Sequence, residues 1–185
     1  MIIDPKASSP KALVNPPSQT IILDTNIFSN MSSEKKGAPL ISYLLELLKR
    51  GFNFAYSEIT LYELLRGATV QKEEAMLKIL NSHFKYFLKG DVIIAAARLD
   101  NIMKLEKIEI NSVDHGDKFI ASTAILTGSL ILTANARDFP WPLFQHVENK
   151  HILYTDKNKA TTCFMVSLMR PDYKLINLRF KERPK

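Results

Sequence analysis

Short apolar runs rich in β-branched residues alternate along the chain with longer segments whose apolar residues recur at helical spacing. Thr20–Leu23 is the first such run and predicts a buried strand. Pro39–Lys49 carries Leu40, Ile41, Leu44, Leu45, Leu47 and Leu48, a helical stripe closed by Arg50 and Gly51. Phe52–Tyr56 predicts a second strand. Glu58–Gly67 predicts a helix, with Ser57 as its cap and Gly67 as its stop. Gln71–His83 repeats at helical spacing, Lys85–Leu88 reads as a short strand, and Asp91–Lys107 as the longest helix. Asp117–Leu126 predicts a further helix ending near Gly128, and Leu130–Thr133 a further strand. Strands alternating with helices imply a mostly parallel sheet covered on both faces. The expected fold is therefore α/β, a three-layer α/β/α sandwich. Ligands of such sheets sit beyond the carboxyl ends of the strands.

Both ends of the chain depart from this pattern. Residues 1–19 hold Pro5, Pro10, Pro16 and Pro17 and predict a flexible leader, because proline suits neither helix interiors nor central strands. Residues 20–154 then form the expected domain. His151–Tyr154 predicts a last strand, and Thr161–Met169 and Tyr173–Phe180 read as two β-rich runs broken at Arg170-Pro171-Asp172. The tail 155–185 is thus expected to be a C-terminal β-hairpin extension.

Charge separates the same regions. The formal net charge is +6, yet residues 150–185 hold nine basic residues against three acidic, so the first 149 residues are neutral. A basic surface confined to the tail suggests a polyanion, the alternative being a solvated, soluble C-terminus. One cysteine, Cys163, excludes an internal disulfide and a cysteine-rich zinc site, and suggests a reducing, cytoplasmic setting. No apolar run is long enough to predict a membrane span.

Four carboxylates fall where the pattern places the carboxyl edge of the sheet. Asp24 follows the first strand, Glu63 lies in the helix after the second, Asp117 opens its helix, and Asp138 follows Leu130–Thr133. An acid after a strand is commonly a helix cap, and Asp114, three residues before Asp117, fits that role. Glu63, within Leu61-Tyr62-Glu63-Leu64-Leu65, is harder to explain as a cap, because an isolated buried carboxylate is costly. Carboxylates grouped without histidine or cysteine suit a hard cation, Mg²⁺ or Mn²⁺. The four histidines show no metal-ligand spacing.

The segments Ile21-Ile-Leu-Asp24-Thr-Asn26, Ser57-Glu-Ile-Thr-Leu-Tyr-Glu63-Leu-Leu-Arg-Gly67, Asp117-Lys-Phe-Ile-Ala-Ser and Leu130-Ile-Leu-Thr133-Ala-Asn135-Ala-Arg-Asp138-Phe139 resemble the PIN-domain ribonucleases. More narrowly they resemble the toxin half of VapBC-type toxin–antitoxin pairs, over about residues 20–140. The resemblance implies that Asp24, Glu63, Asp117 and Asp138 hold Mg²⁺ or Mn²⁺. It implies that Asn26 orients Asp24 or a water on the metal, and that Thr133 and Asn135 are the polar positions before the fourth acid. It further implies endonucleolytic cleavage of RNA, a homodimer and a small antitoxin partner. Two other readings keep the fold: an RNA-processing nuclease without a toxin role, and a catalytically silent binding module. The Pro-rich leader and the β-rich tail depart from the family pattern.

Overall fold

A computed structural model describes residues 20–109, 111 and 113–182. The expected leader, residues 1–19, lies outside them. The elements in chain order are β1 (Thr20–Leu23), α1 (Thr25–Met31), α2 (Gly37–Lys49), β2 (Asn53–Ser57), α3 (Glu58–Leu65) and α4 (Val70–Leu80). They continue with β3 (Phe84–Tyr86), α5 (Gly90–Leu105), α6 (His115–Thr127), β4 (Leu130–Thr133), β5 (Phe144–Thr155), β6 (Thr161–Pro171) and α7 (Tyr173–Glu182). A 3-10 turn at Ala136–Asp138 follows β4.

The six strands form one sheet in the order β3-β2-β1-β4-β6-β5. β3, β2, β1 and β4 run parallel, while β6 pairs antiparallel with both β4 and β5. Strand alternation sends side chains to two cores. Ile21, Leu23, Leu132, Val166 and Leu168 pack with Phe28 of α1 and Leu40, Tyr43 and Leu47 of α2. Ile22, Ile131 and Met169 pack with Leu99 and Ile102 of α5, Ile120 of α6 and Ile176 of α7. The three-layer sandwich expected from the pattern is present.

The C-terminal segment differs from expectation in detail. A hairpin is present, but its strands are β5 and β6, joined by a turn in which the Asp156 N–H donates to the Ala160 carbonyl at 2.9 Å. Tyr173–Phe180, expected as a strand, is helical. Asp172 begins that helix: its Oδ1 accepts from the Leu175 N–H at 2.9 Å and its carbonyl from the Ile176 N–H at 2.9 Å. Residue 154 therefore does not end a packing unit, since β6 lies inside the sheet and Val166 and Leu168 are fully buried. Cys163 is exposed. Among the described residues no helix is long and apolar enough to cross a membrane.

Candidate metal centre

β1 and β4 are adjacent and in register, Leu23 opposite Leu132, so both chains leave the sheet side by side. Asp24 is the first residue beyond β1, and its N–H still donates to the Leu132 carbonyl at 3.0 Å. The residue stays extended and acts as N-cap residue of α1, though its side chain caps nothing. The carboxylate is instead buried and turned to the neighbouring strand end. Its Oδ2 accepts from Thr133 Oγ1 at 2.6 Å and from Asn26 Nδ2 at 2.5 Å.

Asn26 and Thr133 clamp the two strand ends together. Asn26 Oδ1 accepts from the Ala134 N–H at 2.8 Å, and its Nδ2 also lies 3.1 Å from Thr133 Oγ1. Thr133 Oγ1 accepts from the Asn135 N–H at 2.9 Å. Asn135 Nδ2 then donates to Asp138 Oδ2 at 2.7 Å, which fixes the fourth acid on the 3-10 turn. All three polar positions singled out in the sequence therefore contact an acid.

Asp114 is the N-cap of α6, accepting from the Gly116 N–H at 3.0 Å, and this places Asp117 in the helix's first turn. Glu63 is half-buried on α3. Its Oε2 accepts a hydrogen bond from Thr25 Oγ1, a residue the sequence patterns did not single out. The same carboxylate rests against Gly116: a Cβ there would lie 1.8 Å from Glu63 Oε1, so glycine at this position lets the Glu63 carboxylate lie against α6.

Electrostatics tie these groups to one another. Burial raises the Asp24 carboxyl to about 6, with Asp138 and Glu63 adding to the rise against the hydrogen bond from Thr133. Asp117 is raised to about 8, first by burial and then by Asp24, Asp138, Glu63 and Asp114. Asp138 is raised by burial and by Asp114, against the bond from Asn135. Among the described residues none of the four acids has a basic partner in an ion pair. A group of acids that resist ionising together, without a countercharge, is what a cation would neutralise.

The donor set fits a hard divalent cation, being oxygen only. As the side chains stand, no three His, Cys, Asp or Glu among the described residues converge closely enough to enclose an ion. Mg²⁺ does not need such a cage, because it keeps several waters and is held through one or two carboxylates.

Comparison with known proteins gives the same region. The PIN domain family matches residues 21–140. Ribonuclease VapC19 of Mycobacterium tuberculosis is 30% identical over 106 residues, spanning 57% of this chain and 82% of the relative. Among solved structures, VapBC2 from Rickettsia felis bound to a DNA fragment from its promoter superposes with a TM-score of 0.53 at 23% identity, over 65% of this chain and 90% of that one. VapBC-1 from nontypeable Haemophilus influenzae gives 0.54 at 19% identity, over 65% and 90%. These structural likenesses concern the fold.

Proposed function

The chain belongs to the PIN-domain family, and from that premise we propose that it is a divalent-metal-dependent endoribonuclease acting as the toxin of a toxin–antitoxin pair. The observation that carries the proposal is the group of acids at the carboxyl edge: Asp24, Asp117 and Asp138 raised together, with no ion pair to a basic side chain among the described residues. VapC19, the relative at 30% identity, supports the same activity.

Asp24, Asp117 and Asp138 would hold Mg²⁺ or Mn²⁺, with Glu63 ligating directly or through water. A bound divalent cation supplies positive charge against the phosphate and makes water there more acidic. Asn26 and Thr133 fix the orientation of the Asp24 carboxylate, and Asn135 that of Asp138. Thr25 holds Glu63, and Asp114 sets the start of the helix that carries Asp117. Asp117 keeps its proton at neutral pH while no cation is present, and gives it up as the cation binds.

A small antitoxin is the proposed protein partner, and a homodimer the proposed assembly. Ile41, Leu45 and Leu48 stand exposed along one face of α2, a stripe at helical spacing that a partner could cover. Purified protein is expected to cleave single-stranded RNA with Mg²⁺ or Mn²⁺ and to stop with chelator. Retained cleavage by Asp24→Asn, in a preparation free of other nucleases, would remove the assignment. Expression of the chain is expected to arrest growth, and co-expression of a small adjacent gene to relieve the arrest. Cleavage without arrest would favour an RNA-processing role.

A further inference from the structure

The β5–β6 hairpin lies beyond residue 140, where the family match ends. Its register against the parallel sheet has a geometric result. β6 pairs with β4 only from Thr133 opposite Ser167 to Ile131 opposite Met169. Because β6 is antiparallel to β4, residues 161–166 and their partners 150–155 run on past the carboxyl end of β4. Six residues of strand extend about 20 Å at ~3.3 Å each. The hairpin is therefore an arm standing on the edge from which Asp24 and Asp138 leave the sheet.

The two faces of the arm differ. Ile152 and Val166 are buried in the core beneath α1 and α2, and Lys36 Nζ lies 5.5 Å from the Tyr154 ring and 5.2 Å from the Phe164 ring. That face is packed, so the arm is held in place. The other face carries His151, Leu153, Cys163 and Met165, all exposed. Strand alternation puts Cys163 and Met165 on the side of Met169. It likewise puts Asp24 and Thr133 on the side of Ile22 and Ile131. Met169, Ile22 and Ile131 share one core, so the exposed face of the arm continues the face of the sheet that holds the acids. At the tip, Lys157 and Lys159 are exposed, and neither forms an ion pair among the described residues.

We propose that this arm binds the substrate strand: single-stranded RNA leaving the acidic site runs along the His151–Met165 face, with its phosphates reaching Lys157 and Lys159 at the tip. The inference rests on the nuclease reading for the identity of the strand. The exposed His151 ring offers a π-face for an unstacked base, with Leu153 and Met165 as apolar surface beside it, and the tip lysines neutralise phosphates; stacking and phosphate neutralisation are the two components of sequence-tolerant single-strand binding. The acidic centre repels phosphate when no cation is bound, so a cationic contact some 20 Å along the strand supplies an attraction that the site itself lacks.

The test compares wild type with Lys157→Glu/Lys159→Asn. Asparagine is chosen because Lys159 has φ +60°. A second variant, Met165→Asp, places a negative charge on the exposed face without touching the core. Binding of a fluorescent single-stranded RNA of 20 nucleotides is read by anisotropy in chelator, where no cleavage occurs, across a salt series. The expected result is a roughly tenfold loss of affinity for the 20-mer in the tip variant, and a salt slope shallower by about 1.4, at ~0.7 per phosphate contact. Met165→Asp is expected to weaken the 20-mer as well. Unchanged 20-mer binding and slope in both well-folded variants would overturn the proposal, as would wild type that binds no RNA. Loss of a co-purifying protein with RNA binding intact would assign the arm to a protein and overturn it equally. Failure of the nuclease reading shows separately, as tip-dependent binding with no cleavage on adding Mg²⁺ or Mn²⁺.

Discussion

Replacing Asp24 by asparagine should make the metal-free protein more stable at pH 8 while abolishing its activity. The Asp24 carboxyl is raised from 3.8 to about 6 and is 2% exposed. Between those values the folded chain binds more protons than the unfolded chain, so stability falls as pH rises through the interval. Below about pH 4 the penalty is absent, and above about pH 6 it is complete. At 1.36 kcal/mol per unit, the complete penalty is about 3 kcal/mol. Asparagine, like the protonated acid, escapes it at every pH, and the bond from Thr133 is already contained in the net value of about 6. The gain is therefore about 3 kcal/mol at pH 8 and fades to nothing below about pH 4. For a chain of 185 residues this corresponds to a Tm rise of about 6–12 °C at pH 8. Thermal unfolding in chelator at pH 4.5, 6 and 8 measures it. Mn²⁺ should then raise the Tm of wild type more than that of the variant, since ligand binding to the folded state adds stability. A variant less stable than wild type at pH 8 in chelator would refute the view that Asp24 is held against its own charge.

Gly116→Ala should move the Glu63 carboxylate off α6 with little change in Tm, because the clash falls on the end of a flexible side chain; cleavage should drop ~10–100-fold, and unchanged cleavage would exclude Glu63 from the centre. Asn135→Ala frees Asp138 and should raise the Mg²⁺ concentration needed for half-maximal cleavage by a similar factor. Because Asp117 is raised to about 8, Mn²⁺ binding at pH 7 should release protons, seen in calorimetry as a heat that changes with the ionisation enthalpy of the buffer. Away from the centre, Lys118 Nζ is buried 2.9 Å from Asp100 Oδ1, so Asp100→Ala should cost about 3 kcal/mol in urea unfolding, and adding Lys118→Met should restore most of it.

The parallel part of the sheet was legible because each strand is a short apolar run bounded by a polar or turn residue, as Thr20–Leu23 and Leu130–Thr133 illustrate. Asp114 likewise behaved as its D-x-x-D context predicted, as a cap. α1 was not read, because Asp24-Thr-Asn drew attention as chemistry, although an extended Asp before a seven-residue helix is also an N-terminal signal. Tyr173–Phe180 carries apolar residues at 173, 175, 176, 178 and 180, which satisfy alternation and helical spacing alike. Pro171-Asp172 was the deciding signal, since Asp172 caps the helix that follows. Thr25 and Gly116 were invisible for another reason: their roles depend on Glu63, which reaches both only across the fold.

The strand order has a consequence for synthesis of the chain. β4 needs β6 as its second neighbour, and β6 comes about thirty residues later in the sequence. Until those residues emerge, one flank of β4 has no ladder partner, and the pockets later filled by Val166, Leu168 and Met169 stand open. Burying three such side chains contributes about 5–9 kcal/mol, comparable with the whole net stability of an ordinary domain. A ribosome-bound chain that stops short of Thr161 is therefore expected to remain unfolded even though every acid has been translated. Stalled chains ending at residue 155 should be protease-sensitive, and chains carrying the full sequence on a long linker resistant. An enzyme that cuts RNA would thus come into being only once its sixth strand has been translated, well after the last of its acids.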